Sequence, residues 1–153
     1  MIRPYHKSDK SQLLALLNLN IPRFFAPSEV ADFADYLENH VEQYFVVELE
    51  GNIVGCGGIN YFPEAATARI SWDIIHPHYQ GKGMGRALML HRINEIKKDP
   101  AIQTILVRTT QLVYPFYEKL GFVLEKTEKN FWAPGFDLYQ MKRPTSDKSD
   151  NEE

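Results

Sequence analysis

Ser71-Trp72-Asp73-Ile74-Ile75-His76-Pro77 leads through His78 and Tyr79 into Gln80-Gly81-Lys82-Gly83-Met84-Gly85-Arg86. An amphipathic stretch then runs from about Gly83 to Lys97. The first part reads as a strand that Pro77 stops, because proline has no ladder donor. A strand that feeds a glycine-rich turn and then a helix makes an anion site. The first amides of a helix have no internal acceptors, and the helix dipole favours negative charge there. Glycines at 81, 83 and 85 let the backbone approach a diphosphate with no Cβ in the way, and Lys82 and Arg86 add charge at the mouth. The stretch is not a P-loop, since no Gly-Lys-Ser/Thr follows a four-residue spacer. Nor is it a good dinucleotide fingerprint: its third glycine falls one residue early and its strand lies mid-chain. Alone, such a loop also fits a plain structural turn.

Periodicity to either side places the other elements. An opening strand precedes a helix over about Ser8–Leu19, which Asp9 or Ser8 caps and which buries Leu13, Leu14, Leu16 and Leu17. Ser28 caps a second helix carrying Val30, Phe33, Ala34, Leu37 and Val41. Tyr44–Leu49 and Ile53–Tyr61 read as a hairpin around Glu50-Gly51-Asn52, and Thr67–Ile75 as the strand before the loop. Downstream come a strand at Ile102–Arg108, a short helix at Val113–Leu120 closed by Gly121, and strands at Phe122–Glu128 and Leu138–Lys142. An aromatic loop, Phe131 to Phe136, joins the last two. The order predicts an α/β (α+β) fold, a single mixed, mostly antiparallel sheet of about six to seven strands with about four helices over both faces. Residues 1–143 form one domain, and the tail Pro144–Glu153, which has no apolar anchor, is expected to be disordered.

The chain has 153 residues, enough for one core, and a formal net charge of −3. That charge gathers neither nucleic acid nor an anionic membrane, so any anion is bound by a local site. A single cysteine, Cys56, excludes an internal disulfide and a multi-thiolate metal site, and its apolar surroundings read as a buried strand. The N-terminus lacks the apolar stretch of a signal peptide, and no segment has the length of a membrane span, so the expectation is a cytoplasmic protein.

Gln80-x-x-Gly83-x-Gly85 matches the Arg/Gln-x-x-Gly-x-Gly/Ala signature of the GNAT superfamily of acyl-CoA-dependent N-acetyltransferases, and the chain resembles that family. Ile74-Ile75-His76-Pro77 looks like the strand end that usually precedes this loop, and Phe116-Tyr117-Glu118-Lys119-Leu120-Gly121-Phe122 is similar to the family's second hallmark. Gly55 in mid-strand and the opening Ile2-Arg3 strand agree, so the resemblance runs from about Met1 to Arg143.

The resemblance implies acetyl-CoA as acyl donor and a primary amine, on a small molecule or a peptide, as acceptor. It implies that backbone amides from Gly81 through Lys82, Gly83, Met84 and Gly85 to Arg86, with Gln80, cradle the cofactor pyrophosphate. The pantetheine arm would pair with Ile74, Ile75 and His76 as an added strand. Tyr117 takes the place of the family's general acid for the departing thiolate. A free phenol has a pKa of about 10 against about 8.5 for a thiol, so hydrogen bonding to the developing thiolate matters beside full transfer. Thr110 stands where the family often has an asparagine that touches pantetheine. An amine is almost wholly protonated at neutral pH, so something must take its proton. The one acid on the strand before the loop is Asp73, read either as that base or as a structural partner of Arg69 on the same face; His76 is a second candidate base.

On the acceptor side Phe24, Phe25, Tyr36, Phe131, Trp132 and Phe136 either wall a pocket or cap the core or a dimer contact, and Asp137 is a candidate amine ligand. Another acyl-CoA, a non-catalytic acyl-CoA-binding module, nucleotide-phosphate binding and a homodimer stay open at this level.

Overall fold

The computed structural model describes residues 1–146. Its elements are β1 (Ile2–Pro4), α1 (Lys10–Asn18), α2 (Glu29–Asn39), β2 (Gln43–Leu49), β3 (Asn52–Phe62), β4 (Thr67–Ile75), α3 (Met84–Ile96), β5 (Thr104–Thr109), α4 (Tyr114–Glu118), β6 (Val123–Ala133) and β7 (Phe136–Pro144). One sheet orders the strands β1-β2-β3-β4-β5-β7-β6. Every neighbouring pair is antiparallel except β4 with β5. A parallel pair needs a crossover, and the glycine loop with α3 supplies it.

Side-chain alternation divides the core in two. Tyr44 and Val46 of β2 turn to the side of α1 and α2, into a cluster with Leu13, Leu17, Phe33 and Leu37. Phe45 and Val47 turn the other way, into a cluster with Leu88, Met89, Ile93 and Ile96 of α3 and Tyr117 of α4. The helices therefore cover both faces, as the periodicity predicts.

The helix starts differ from expectation. Asp9 does not cap α1. It lies in a 3-10 turn ahead of the helix, accepts the His6 N–H at 2.8 Å, and is gripped at both oxygens by Arg3 at 2.9 and 3.0 Å. That hydrogen-bonded pair holds the Asp9 carboxyl below the usual carboxylate range. Ser28 makes no side-chain cap on α2; Glu29 instead turns back to accept the Ala26 N–H at 2.8 Å.

The C-terminal hairpin is longer than the sequence suggests. Phe131 and Trp132 belong to β6, and only the Pro134-Gly135 turn separates it from β7. Pro144 closes β7, and Thr145 is buried and donates through Oγ1 to the Ile102 carbonyl at 3.0 Å. The expected disordered tail thus does not begin at Pro144, and its remaining residues, 147–153, lie outside the described ones.

One irregularity matters for the site. Between β3 and β4 the register slips, so that the single residue Gly57 opposes both Trp72 and Asp73. Trp72 has φ +50°, a left-handed conformation uncommon for a bulky residue. The bulge changes the alternation. Trp72 packs on Phe33 of α2, whereas Asp73 points to Arg92 of α3 and Tyr117 of α4. A Cβ at Gly57 would collide with the Asp73 carboxylate and lie 2.7 Å from Arg92 Nη1.

Gly57→Ala should therefore cost about 2–4 kcal/mol of folding stability in a denaturant titration, as overpacking against a buried ion pair does. At Gly51 a Cβ meets nothing within 4 Å but φ is +81°, and Gly51→Ala should cost about 1 kcal/mol, from backbone strain alone.

Candidate active site

β4 pairs with β5 only from Thr67–Ile70 to Thr104–Val107. Beyond that the two strands part, leaving a gap above the parallel pair. His76 donates its N–H to Val54 across β3 at 2.8 Å. By the alternation of an antiparallel ladder, the peptide groups of Ile74 face β3 and those of Ile75 face the gap. The Ile75 carbonyl meets the Gln80 side-chain amide at 3.2 Å, which also reaches Asn20 at 3.1 Å.

The glycine loop borders this gap. Gly81 and Gly83 have φ of +75° and +86° with open space where a Cβ would stand. Gly83 precedes the 13-residue helix α3, and no side chain caps its first amides. Gly85 serves a different purpose. A Cβ there would come within 2.9 Å of the Phe116 ring of α4, so this glycine packs the loop helix against the second motif.

A cavity of about 520 Å³ starts at Gly81 and Gly83, passes Asp73 and Tyr117, and ends at Phe25 and Trp132. The Tyr117 hydroxyl donates to Asp73 Oδ2 at 2.7 Å. Asp73 Oδ1 lies 2.6 Å from Arg92 Nη1, off the alignment of a hydrogen bond. Arg92 is 1% exposed and also donates to the Gly58 carbonyl at 3.2 Å and the Leu88 carbonyl at 3.4 Å. Burial, together with the adjacent Asp73 carboxylate, pushes the Tyr117 phenol well above its ordinary value. It is therefore a firmly protonated donor rather than a strong acid.

Gly81, Gly83, Gly85, Arg86, Ile74, Ile75, Asp73, Tyr117 and Thr110 all line the one cavity. Asp73 is not the partner of Arg69, because the bulge sends it to the opposite face. Its Oδ2 accepts the Tyr117 hydroxyl and its Oδ1 lies against Arg92, so two elements hold the carboxylate in the cavity wall. His76 is not in the cavity wall; its N–H is used by Val54 and its Nδ1 accepts from the His78 N–H at 3.1 Å. Lys82 and Met84 are not in the wall either: Lys82 lies over the Tyr79 ring and Met84 packs on the core. The Gln80 side chain acts as a tie between loop, strand and Asn20. Thr110 Oγ1 accepts the Leu112 N–H at 3.1 Å, within the turn that starts α4. Phe24, Phe25, Tyr36 and Trp132 line the cavity, but Phe131 and Phe136 do not. Asp137 accepts the Asn130 N–H at 2.8 Å, clamping its own hairpin.

Sequence reasoning missed Arg92. Its signal was a charge on the buried stripe of α3, four residues after Leu88 and four before Ile96.

The profile of the acetyltransferase (GNAT) domain matches residues 40–124, more than half of the chain and the span holding β3, β4, the loop and α4. The chain belongs to the GNAT acetyltransferase family. Among curated relatives, this GNAT chain is 27% identical over 95 residues to the amino-acid acetyltransferase of Photobacterium profundum, covering 62% of the chain and 21% of that protein. It is 29% identical over 113 residues to the one from Actinobacillus pleuropneumoniae, covering 74% of the chain and 25% of that protein. The chain thus spans no more than a quarter of the length of these two relatives. Similar solved folds include an acetyltransferase of the GNAT family from Desulfovibrio desulfuricans, with TM-score 0.81, 19% identity, and 95% and 99% coverage of this and that chain. The ribosomal-protein-S18-alanine N-acetyltransferase from Escherichia coli gives TM-score 0.78, 19% identity, and 100% and 98% coverage. Among the described residues no helix is long and apolar enough to cross a membrane.

Removing one partner of a buried ion pair strands the other. Arg92→Met should cost about 3–5 kcal/mol in a denaturant titration, and Arg92→Met with Asp73→Asn should cost less than Arg92→Met alone. The raised Tyr117 phenol also sets a pH dependence. A group whose value is raised by folding lends stability in full below its unfolded value, about 10 for tyrosine, and loses it as pH climbs through the folded one. Buried Tyr44 behaves in the same direction. The melting temperature should thus fall steeply above about pH 10, and less steeply in Tyr117→Phe.

Proposed function

We propose that this GNAT domain transfers an acetyl group from acetyl-CoA to a primary amine by direct attack on the thioester, with residues 1–143 acting as one catalytic domain. One observation carries the reading. The Tyr117 hydroxyl, hydrogen-bonded to Asp73, stands in the wall of a cavity that begins at the uncapped N-terminus of α3 and the open glycines 81 and 83. The residues present fit acetyl-CoA. The loop amides, Arg86 and the left-handed glycines suit a pyrophosphate, and the Ile75 N–H facing the gap suits an amide chain. A likeness of fold to a Salmonella typhimurium acetyltransferase solved with acetyl-CoA supports the same placement, at TM-score 0.73 and 18% identity over 96% of this chain and 94% of that one.

Acetyl-CoA supplies an activated acetyl group: an amine nitrogen bonds to its carbonyl carbon, the C–S bond breaks, and sulfur leaves with the electron pair and takes up a proton. This chain's part is to hold that proton at Tyr117 Oη. The hydroxyl rotates about its C–O bond between two acceptors, the Asp73 carboxylate and the sulfur site. Arg92 fixes Asp73, and Asp73 fixes the phenol, so Asp73 is a positioning residue in this scheme and water takes the amine's proton. The aromatic wall at the acceptor end excludes bulk solvent, which strengthens each of these interactions. Cytoplasmic residence belongs to the same proposal, supported by the free, buried thiol of Cys56.

Steady-state kinetics and calorimetry test the tyrosine. Tyr117→Phe should lower kcat about 100-fold or more, the usual loss for an aimed donor, while the Kd for acetyl-CoA stays within twofold. Unchanged kcat would remove Tyr117 from the chemistry, and wild type that binds acetyl-CoA without acetylating any of a panel of amines would make this an acyl-CoA-binding module.

A further inference from the structure

Two arginines stand at the acceptor end of the cavity without an anionic partner. Arg69 of β4 and Arg108 of β5 both line it, and both also line the shallow groove that continues over the uncovered sheet face. They share that face because Ile70 and Val107, their paired neighbours in the parallel ladder, both point to the α3 side. Each guanidinium is held by an aromatic face. Arg69 lies 4.9 Å from the Phe62 ring centre, and Arg108 lies 5.0 Å from Phe131 and 5.7 Å from Trp132. A ring occupies the flat side of a guanidinium and leaves its N–H edge for hydrogen bonds. Among the described residues neither arginine enters an ion pair or donates a side-chain hydrogen bond. Arg108 Nε is buried with no acceptor. Of the acids nearby, Glu125 is engaged by Lys142 and Gln140, at 2.9 and 2.7 Å, Asp73 by Arg92 and Glu42 by the Asn60 side chain at 2.8 Å, while Glu64 lines the groove without pairing with either arginine. Burial and the neighbouring charge of Arg108 pull Arg69 below its ordinary value, against the smaller opposing effects of Tyr36 and Glu42. Buried charges are kept when something pairs with them.

We infer that Arg69 and Arg108 receive a carboxylate of the acceptor, and that the amine acetylated belongs to an amino acid. The inference rests on the acetyl-transfer reading above and narrows its acceptor. A carboxylate set across the two N–H edges would supply the missing acceptors and hold the molecule by one end, with its amine directed past Ser71 toward Asp73 and Tyr117. A phosphate shares the chemistry, so the test separates the two.

The wild-type protein with acetyl-CoA is assayed against the common amino acids, the corresponding α-amides and O-phosphoethanolamine. The expected result is at least one amino acid preferred over its amide by about 100-fold or more in kcat/KM, a range typical of a lost buried charge partner. The expected binding result is calorimetric binding of its N-acetyl derivative, but not of the N-acetyl amide, in the presence of CoA. Arg108→Gln and Arg69→Gln should erase that preference through KM while the Kd for acetyl-CoA stays unchanged, and Arg108→Lys should restore part of it. Amides or O-phosphoethanolamine serving as well as amino acids would overturn the carboxylate site and leave acetyl transfer standing, as would a preference that survives in the arginine variants. Failure of acetyl-CoA to bind, or of any amine to be acetylated, would overturn both.

Discussion

A guanidinium buried under the sheet, Arg92 of α3, faces Asp73 of β4, and Asp73 in turn receives the hydroxyl of Tyr117 from α4. Three elements that the chain order keeps apart are tied at this point, and the rest of the site depends on it. A buried charge is tolerated only with its partner in place, so the bulge that turns Asp73 inward and the missing side chain at Gly57 are conditions of the arrangement. The strained backbone at Trp72 is maintained by what surrounds it: Trp72 packs on Phe33, and its carbonyl accepts the Tyr44 hydroxyl at 2.7 Å.

The parting of β4 and β5 is the second condition. A parallel pair joined by a crossover helix brings the N-terminus of that helix beside the ends of both strands, and the gap between them opens onto the loop amides. Gly85 keeps α3 close enough to Phe116 for Tyr117 to reach Asp73. Loop and tyrosine motif are thus coupled through one packing contact, which gives a physical reason for their occurring together in one chain.

Charge is arranged along the cavity in a simple way. Positive potential stands at the loop end, from the helix dipole and Arg86, and again at the far end, from Arg69 and Arg108. Between them Asp73 is held next to Arg92. A chain whose overall charge is −3 thereby sets positive charge at both ends of this cavity, with an aromatic wall to lower the local dielectric.

Much of this was legible in the residues. The periodicity of the helices, the strand limits of β4, the punctuation by glycine and proline, and the pair of motifs at Gln80–Gly85 and Phe116–Phe122 depend on local preferences and on contacts a few residues apart, and those are written along the chain. The face on which Asp73 lies was not. Strict alternation pairs it with Arg69, and only the slip in register against Gly57, a partner from another strand, turns it to Arg92. For the same reason Gln80 ties the loop to Ile75 and Asn20, His76 is turned to Val54, and Gly85 answers to Phe116. The sequence by itself determined the elements, the family and the glycine loop that opens α3. Tertiary structure alone decided which side chains share the cavity, because a bulge, a ladder and a helix contact are relations between segments that no local pattern contains.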